Sequence, residues 1–212
     1  MGIEVTLVDS MGTDLTIVNS ARVSFGKKVD TFDIEKDSRL IHYLAKHKHF
    51  SPFNHAFASF HVKAPVFVAR QLVKHEYLVW NEISRRYVAS DPEFYNPVLR
   101  EATKDKKQGS GCEMSLPTLD GIIKQNNDEA SRRYKYLLAM GVCEEQARVV
   151  LPLNHMTEWY WSGSLGAFAK MCNLRCTGDT QGESRIVADQ IDHMMLNLFP
   201  IAWDAMTGDE DE

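Results

Sequence analysis

The chain has 212 residues, 44% of them hydrophobic and 25% charged, enough for one good-sized core in a single domain. A net charge of −5 excludes the broad basic face that non-specific nucleic-acid binding requires, and no apolar run approaches the roughly 20 residues that cross a bilayer. With no basic-then-apolar leader at its start, the chain reads as a soluble cytoplasmic protein that engages neither nucleic acid nor membrane.

Residues 3–8 alternate apolar and polar and read as a half-buried strand. Asp9, Ser10 and Gly12 break it, and Thr13 or Asp14 can cap a helix through Leu15, Ile17, Val18, Ala21 and Val23. A charged connection over 26–37 follows, with Ser38 as the expected cap of a second helix through Leu40, Ile41, Leu44 and Ala45. His47, His49 and His55 come close together, yet no regular spacing puts them on one face, so no metal site is expected there. Residues 56–63 alternate again as a strand and lead through Pro65 into an apolar stretch. Residues 88–115 hold Asp91-Pro92, Asn96-Pro97 and a polar run, and read as a mobile loop with Lys104, Lys106 and Lys107 solvated.

From Leu119 to Met140 the pattern is helical, with Gly141 suited to the stop. A short helix with Glu144, Glu145 and Gln146 in its first turn carries Arg148 and is closed by Pro152. Residues 157–162 fit strand or helix equally. The last long helix, 181–198, sets Val187, Ile191, Met194, Met195 and Leu198 along one stripe. Cys172 and Cys176 stand one helical turn apart and could offer two metal ligands. Without a second pair, buried reduced thiols are the expected state, as for Cys112 and Cys143. Two or three strands beside five or six helices imply an α+β fold.

The most informative stretch is 65–87. Pro65 suits the first turn of a helix, and Val66, Phe67, Val68, Ala69, Leu72 and Val73 are too evenly apolar for a surface helix. Arg70, Gln71, Lys74, His75 and Glu76 then arrive together, followed by Asn81, Glu82, Ser84, Arg85 and Arg86. Buried ionisable groups need partners, so such a helix ends either in a cleft that binds a charged ligand or in an ordinary solvated last turn.

Here the chain resembles the flavin-dependent thymidylate synthases. Their signature reads Arg-His-Arg, seven residues, Ser; the matching positions are Lys74-His75-Glu76 and Ser84, with Asn81-Glu82 and Arg86-Tyr87 in place. Ala21-Arg22-Val23-Ser24, Ser51-Pro52-Phe53-Asn54-His55, the stretch from Ala147-Arg148 to Leu153 and Asn173-Leu174-Arg175 resemble further family patterns, so the likeness spans about residues 3–206. It implies an α+β domain over 1–212, with a small mixed sheet and several long helices, that assembles as a homotetramer with shared active sites. The implied reaction is reductive methylation of dUMP to dTMP, with methylenetetrahydrofolate as carbon donor, FAD as cofactor and NADPH as its reductant.

By the same resemblance, Ser84, Arg85, Arg86 and Arg148 hold the phosphate, with Gln71 assisting and Tyr87 beside them. Guanidinium forks suit phosphate oxygens. Arg175 faces the uracil, where a cation stabilises charge as C5 becomes nucleophilic, without a cysteine attacking C6. Ser84 has no base beside it in the pattern and serves the phosphate, not as a nucleophile. His55 is placed near the folate and flavin rings, Ser24 near the flavin pyrophosphate, and Lys74, His75, Glu76, Asn81 and Glu82 at the flavin. The departures lie on that flavin side: Lys74 and Glu76 replace arginines, Asn54 replaces a Glu, Ser162 to Gly166 replace a segment carrying Asn-x-Arg, and Asp179 falls near a usual His. Viral members of the family resemble this variant opening, which would place the protein in a host cytoplasm. Two other readings of the retained nucleotide site are a folate-dependent pyrimidine hydroxymethylase without flavin chemistry and a non-catalytic nucleotide binder.

Overall fold

Two long strands with strict alternation build the centre of the molecule. In β2 (Phe57–Pro65), Ala58, Phe60, Val62 and Ala64 point to one face and are buried; in β4 (Met156–Ser164), Trp159, Trp161 and Gly163 do the same. Their register sets Phe60 opposite Trp161 and Val62 opposite Trp159. β1 (Glu4–Met11) pairs with β2 and β3 (Leu78–Glu82) pairs with β4, giving the order β1-β2-β4-β3, antiparallel throughout. The computed structural model describes residues 2–103, 109–114 and 117–208.

Helices α1 (Asp14–Arg22), α2 (Ile34–Lys46), α3 (Val66–Leu72), α6 (Leu165–Arg175), α7 (Gly182–Leu198) and α8 (Pro200–Thr207) supply the rest of one continuous apolar core. Phe168 of α6 meets Phe60 and Trp161 edge-on, at ring separations of 5.1 and 5.6 Å. The buried Asp14 carboxylate accepts from the backbone N–H groups of Ile201 and Ala202, capping α8. A smaller apolar cluster joins α4 (Pro117–Ala139) to α5 (Glu144–Ala147) through Tyr134, Ala147 and Leu151. Gly141 ends α4 with φ of 83°, a left-handed conformation that favours glycine.

Several sequence expectations change. The sheet is antiparallel, not mixed, because each sheet neighbour runs opposite to the next. Among the described residues there are four strands and eight α-helices. The additions are β3, α6 and α8, and 157–162 resolves as part of β4. The 65–87 stretch is not one helix. Pro65 precedes α3 in extended conformation, α3 stops at Leu72, and β3 follows a turn in which Tyr77 takes φ of 65°. The second helix starts at Ile34, where Asp33 caps it by accepting from Glu35 and Lys36, so Ser38 lies inside the helix. In the 88–115 stretch, bridges pair Phe94 with His155 and Arg100 with Glu113. Lys104, Lys106 and Lys107 lie outside the described residues, as does most of the acidic tail. All four cysteines are free thiols, and no described helix is long and apolar enough to cross a membrane.

Candidate active site: two guanidinium clusters and an apolar cleft

The turn after β3 and the turn after α5 carry the first cluster. Arg86 Nε lies 3.6 Å from a Glu145 carboxylate oxygen, and Arg148 Nε donates to the Glu145 backbone carbonyl at 3.2 Å. Glu145 thus stands between the two guanidinium groups. Arg85 donates to the Ser90 carbonyl at 3.0 Å and sits over the Tyr134 ring. The Ser84 hydroxyl accepts from the Arg86 backbone N–H at 3.3 Å, and Tyr87 lies under Arg86 at 5.5 Å. His155, behind this cluster, has its pKa pushed down by burial and by the charges of Arg85 and Arg148. Three guanidinium groups and the Ser84 hydroxyl, from two neighbouring turns, can grip an anion.

The second cluster sits where α3 gives way to β3. Arg175, last residue of α6, donates from Nε to Nε2 of His75 at 3.0 Å. Accepting on Nε2 requires His75 to be neutral. Its pKa falls from 6.5 to about 4, first through burial, then through the charges of Arg175 and Lys170.

The two clusters stand at different levels along β4. The His75 ring lies beside Trp161 at 6.4 Å, while Ile83, next to Ser84, bonds the Glu158 carbonyl. Three residues of β4 separate those levels, on the order of 10 Å at a strand rise of about 3.3 Å per residue.

Beside the second cluster opens a cleft of about 940 Å³. Tyr77, Asn54, Ser164, Gly166, Lys170 and Asn173 contribute to its walls, with Phe50 and Phe57 among the apolar ones. The N-terminus of α6 faces it. Ser164 caps that helix by accepting from the Ala167 N–H at 3.2 Å and donates to Asn54 Oδ1 at 2.7 Å. Asn54 closes over Gly166 so tightly that a Cβ there would meet its Oδ1 at 2.7 Å. Lys170 reaches the Glu76 carboxylate at 3.8 Å and lies over the Tyr77 ring at 6.0 Å.

The remaining residues singled out in the sequence divide. Gln71 Oε1 accepts from the Ser184 hydroxyl of α7. Glu82 accepts from Thr157 at 2.7 Å. Asn81 and Lys74 are exposed, Ser24 is exposed on a 3₁₀ turn at the end of α1, and His55 is exposed at the end of the 51–55 turn. Asn54 and Phe57, not His55, form the cleft wall there. Sequence reasoning missed Glu145, Tyr77 and Lys170. Glu145 stood three residues before Arg148, but nothing local pointed it at Arg86.

An arginine cluster about Glu145, the Arg175–His75 pair and the apolar cleft beside it are the candidate site of this α+β protein. The profile of the Thymidylate synthase complementing protein family matches residues 6–201. A flavin-dependent thymidylate synthase of Thermus thermophilus is 41% identical over 202 residues, covering 95% of this chain and 74% of that protein. One from Thermosipho africanus is 38% identical over 204 residues, covering 94% and 88%. The structure of PolB, a UMP/dUMP methylase from Streptomyces cacaoi bound with 5-Br dUMP, superimposes with a TM-score of 0.83 at 30% identity, covering 97% of this chain and 94% of PolB. This chain belongs to the thymidylate synthase complementing protein family, whose relatives here are the flavin-dependent thymidylate synthases.

Proposed function

We propose that the protein methylates dUMP to dTMP as a flavin-dependent thymidylate synthase. The observation that carries this reading is the pairing of Arg175 with a neutral His75 in a chain that also gathers Arg86 and Arg148 about Glu145. In this reading Ser84, Arg85, Arg86 and Arg148 bind the phosphate, and Arg86 exchanges its contact with Glu145 for a bidentate bond to it. Tyr87 steadies the Arg86 plane, and Gln71 lines the floor between the clusters. Arg175 lies along the uracil carbonyls, where its charge stabilises the electron density that makes C5 nucleophilic toward the folate methylene. His75 orients that guanidinium and, being neutral, adds no competing charge.

The cleft suits the flavin ring. Its size falls within that of ordinary ligand pockets, Gly166 leaves room that a side chain would fill, and the positive end of α6 together with Lys170 supplies charge. Lys170 offsets Glu76 there. Lys74, Asn81, Glu82 and Ser24 complete the flavin set in this reading, with His55 at the folate. When bound, reduced FAD supplies the hydride that completes the methyl group, with NADPH as reductant and methylenetetrahydrofolate as carbon donor.

The outer sheet face sets exposed Val79 and Tyr160 among Ser59, His61, Asn81, Glu158 and Ser162, a mixed surface of the kind that homotetramer contacts with shared sites would use in this reading. Free thiols suit a reducing cytoplasm.

The test is incubation with dUMP, methylenetetrahydrofolate and NADPH, with product mass and the flavin absorption band followed together. A methyl product and a bound flavin are expected. A hydroxymethyl product, or no product from flavin-loaded protein, rejects the reading. Mixing Arg175→Ala with Arg86→Ala subunits tests the shared site: recovered activity requires both residues from different chains.

A further inference from the structure

On the side of α6 that packs against α7 lies a group of side chains with no part in the nucleotide chemistry. Sγ of Cys172, Sγ of Cys176 and a carboxylate oxygen of Asp192 all lie within 4.8 Å of one another. The cysteines come from successive turns of α6 and the aspartate from α7. We propose that Cys172, Cys176 and Asp192 bind a thiophilic divalent cation of the zinc class, which clips the last turn of α6 to α7.

The donor set and its spacing support this assignment. Two soft thiolates select zinc over calcium or magnesium, and a carboxylate is an established third ligand for zinc. Donors on a tetrahedral zinc with bonds of about 2.3 Å stand about 3.8 Å apart, so the present spacing closes by about 1 Å or less. Cys172 donates weakly to the Ala188 carbonyl of α7 at 3.7 Å, which already turns its sulfur toward that helix. The cation displaces the two thiol protons, which pass to solvent, and takes the sulfurs as thiolates.

The surroundings support it independently. The indole N–H of Trp203, itself 1% exposed, donates to Asp192 Oδ1 at 2.8 Å, fixing the carboxylate and leaving its second oxygen for a cation. A cleft of about 500 Å³, walled by Cys172, Cys176, Thr177, Asp192 and Asp204, leads in from solvent and leaves room for water as a fourth ligand. Arg175 sits in the same turn as Cys176, so the clip also steadies the guanidinium that meets His75.

The full chain, with exposed Cys112 and Cys143 changed to Ser to remove other thiols, is stripped with a chelator and titrated with Zn²⁺. One ion per chain is expected, with a rise in thermal midpoint of about 5–10 °C at a hundred times Kd. Amide exchange of the 172–176 turn should slow. Both effects should vanish in Cys176→Ser, whose side chain is only partly buried, and in Asp192→Asn, which keeps the acceptor for Trp203. Failure of the stripped protein to take up Zn²⁺, or wild-type uptake and thermal shift in either variant, overturns the proposal. None of these readouts depends on thymidylate synthesis, so they stand or fall apart from the proposed activity.

Discussion

Arg175→Ala separates binding from chemistry. The side chain donates to His75 at 3.0 Å, while Arg86 and Arg148 are held by Glu145, so its loss leaves that grip's contacts in place. Removing one preorganised donor from a site of developing negative charge costs about 2.7–4 kcal/mol, a fall on the order of 10²–10³ in kcat. The dUMP Kd should weaken less than about tenfold, because Arg86 and Arg148 still hold the phosphate. A second readout is independent of turnover. Burial is the first cause holding His75 at about 4 and the Arg175 charge is the next, so the variant's His75 should titrate higher, yet still below 6.5. Arg175→Lys restores charge without the planar fork and should recover only part of the rate. Single-turnover conversion, calorimetric dUMP binding and an NMR titration of His75 measure the three quantities. An unchanged rate would refute the argument; so would a rate loss matched by lost dUMP affinity with His75 unmoved.

Three further outcomes follow from contacts elsewhere. Gly166→Ala drives a Cβ to within 2.7 Å of Asn54 Oδ1 and breaks the Ser164 to Asn54 bond, so flavin retention on gel filtration should fall while the dUMP Kd holds. Arg100→Ala leaves the Glu183 carboxylate, 3% exposed and now paired at 2.6 Å, with only the Gln181 amide at 3.3 Å, and should cost about 3 kcal/mol in urea unfolding, with Glu183→Gln on top restoring part of it. His75 and His155 both bind protons more weakly folded than unfolded, His75 down to about 4. Their contribution to stability is therefore complete above the ordinary histidine value of 6.5 and is lost as pH falls toward 4. Denaturant midpoints at about pH 7.5 and about pH 5 should differ accordingly, the acid one lower.

Strand β2 and the stripe of α7 were readable locally because each buries one face, and burial of one face imprints a period of two or 3.6 residues. The Ser84 to Tyr87 turn was readable as a candidate anion site from residue type, whereas Arg148 joined it only through the family resemblance. Helix α6 was not legible: Leu165, Ala167, Phe168, Ala169, Met171 and Cys172 are all buried, so no polar face marks its period. Strand β4 was ambiguous because its tryptophans and tyrosine suit either state until β2 and β3 flank it. Glu145 between Arg86 and Arg148, Lys170 at Glu76, and Arg175 on His75 a hundred positions away are products of docking. By itself the sequence determined the kinds of charge the protein can offer and the elements that carry them. Only the tertiary structure decided which charges meet, since β3 must pair with β4, and α6 pack beneath it, before Arg175 can reach His75 and leave that ring neutral.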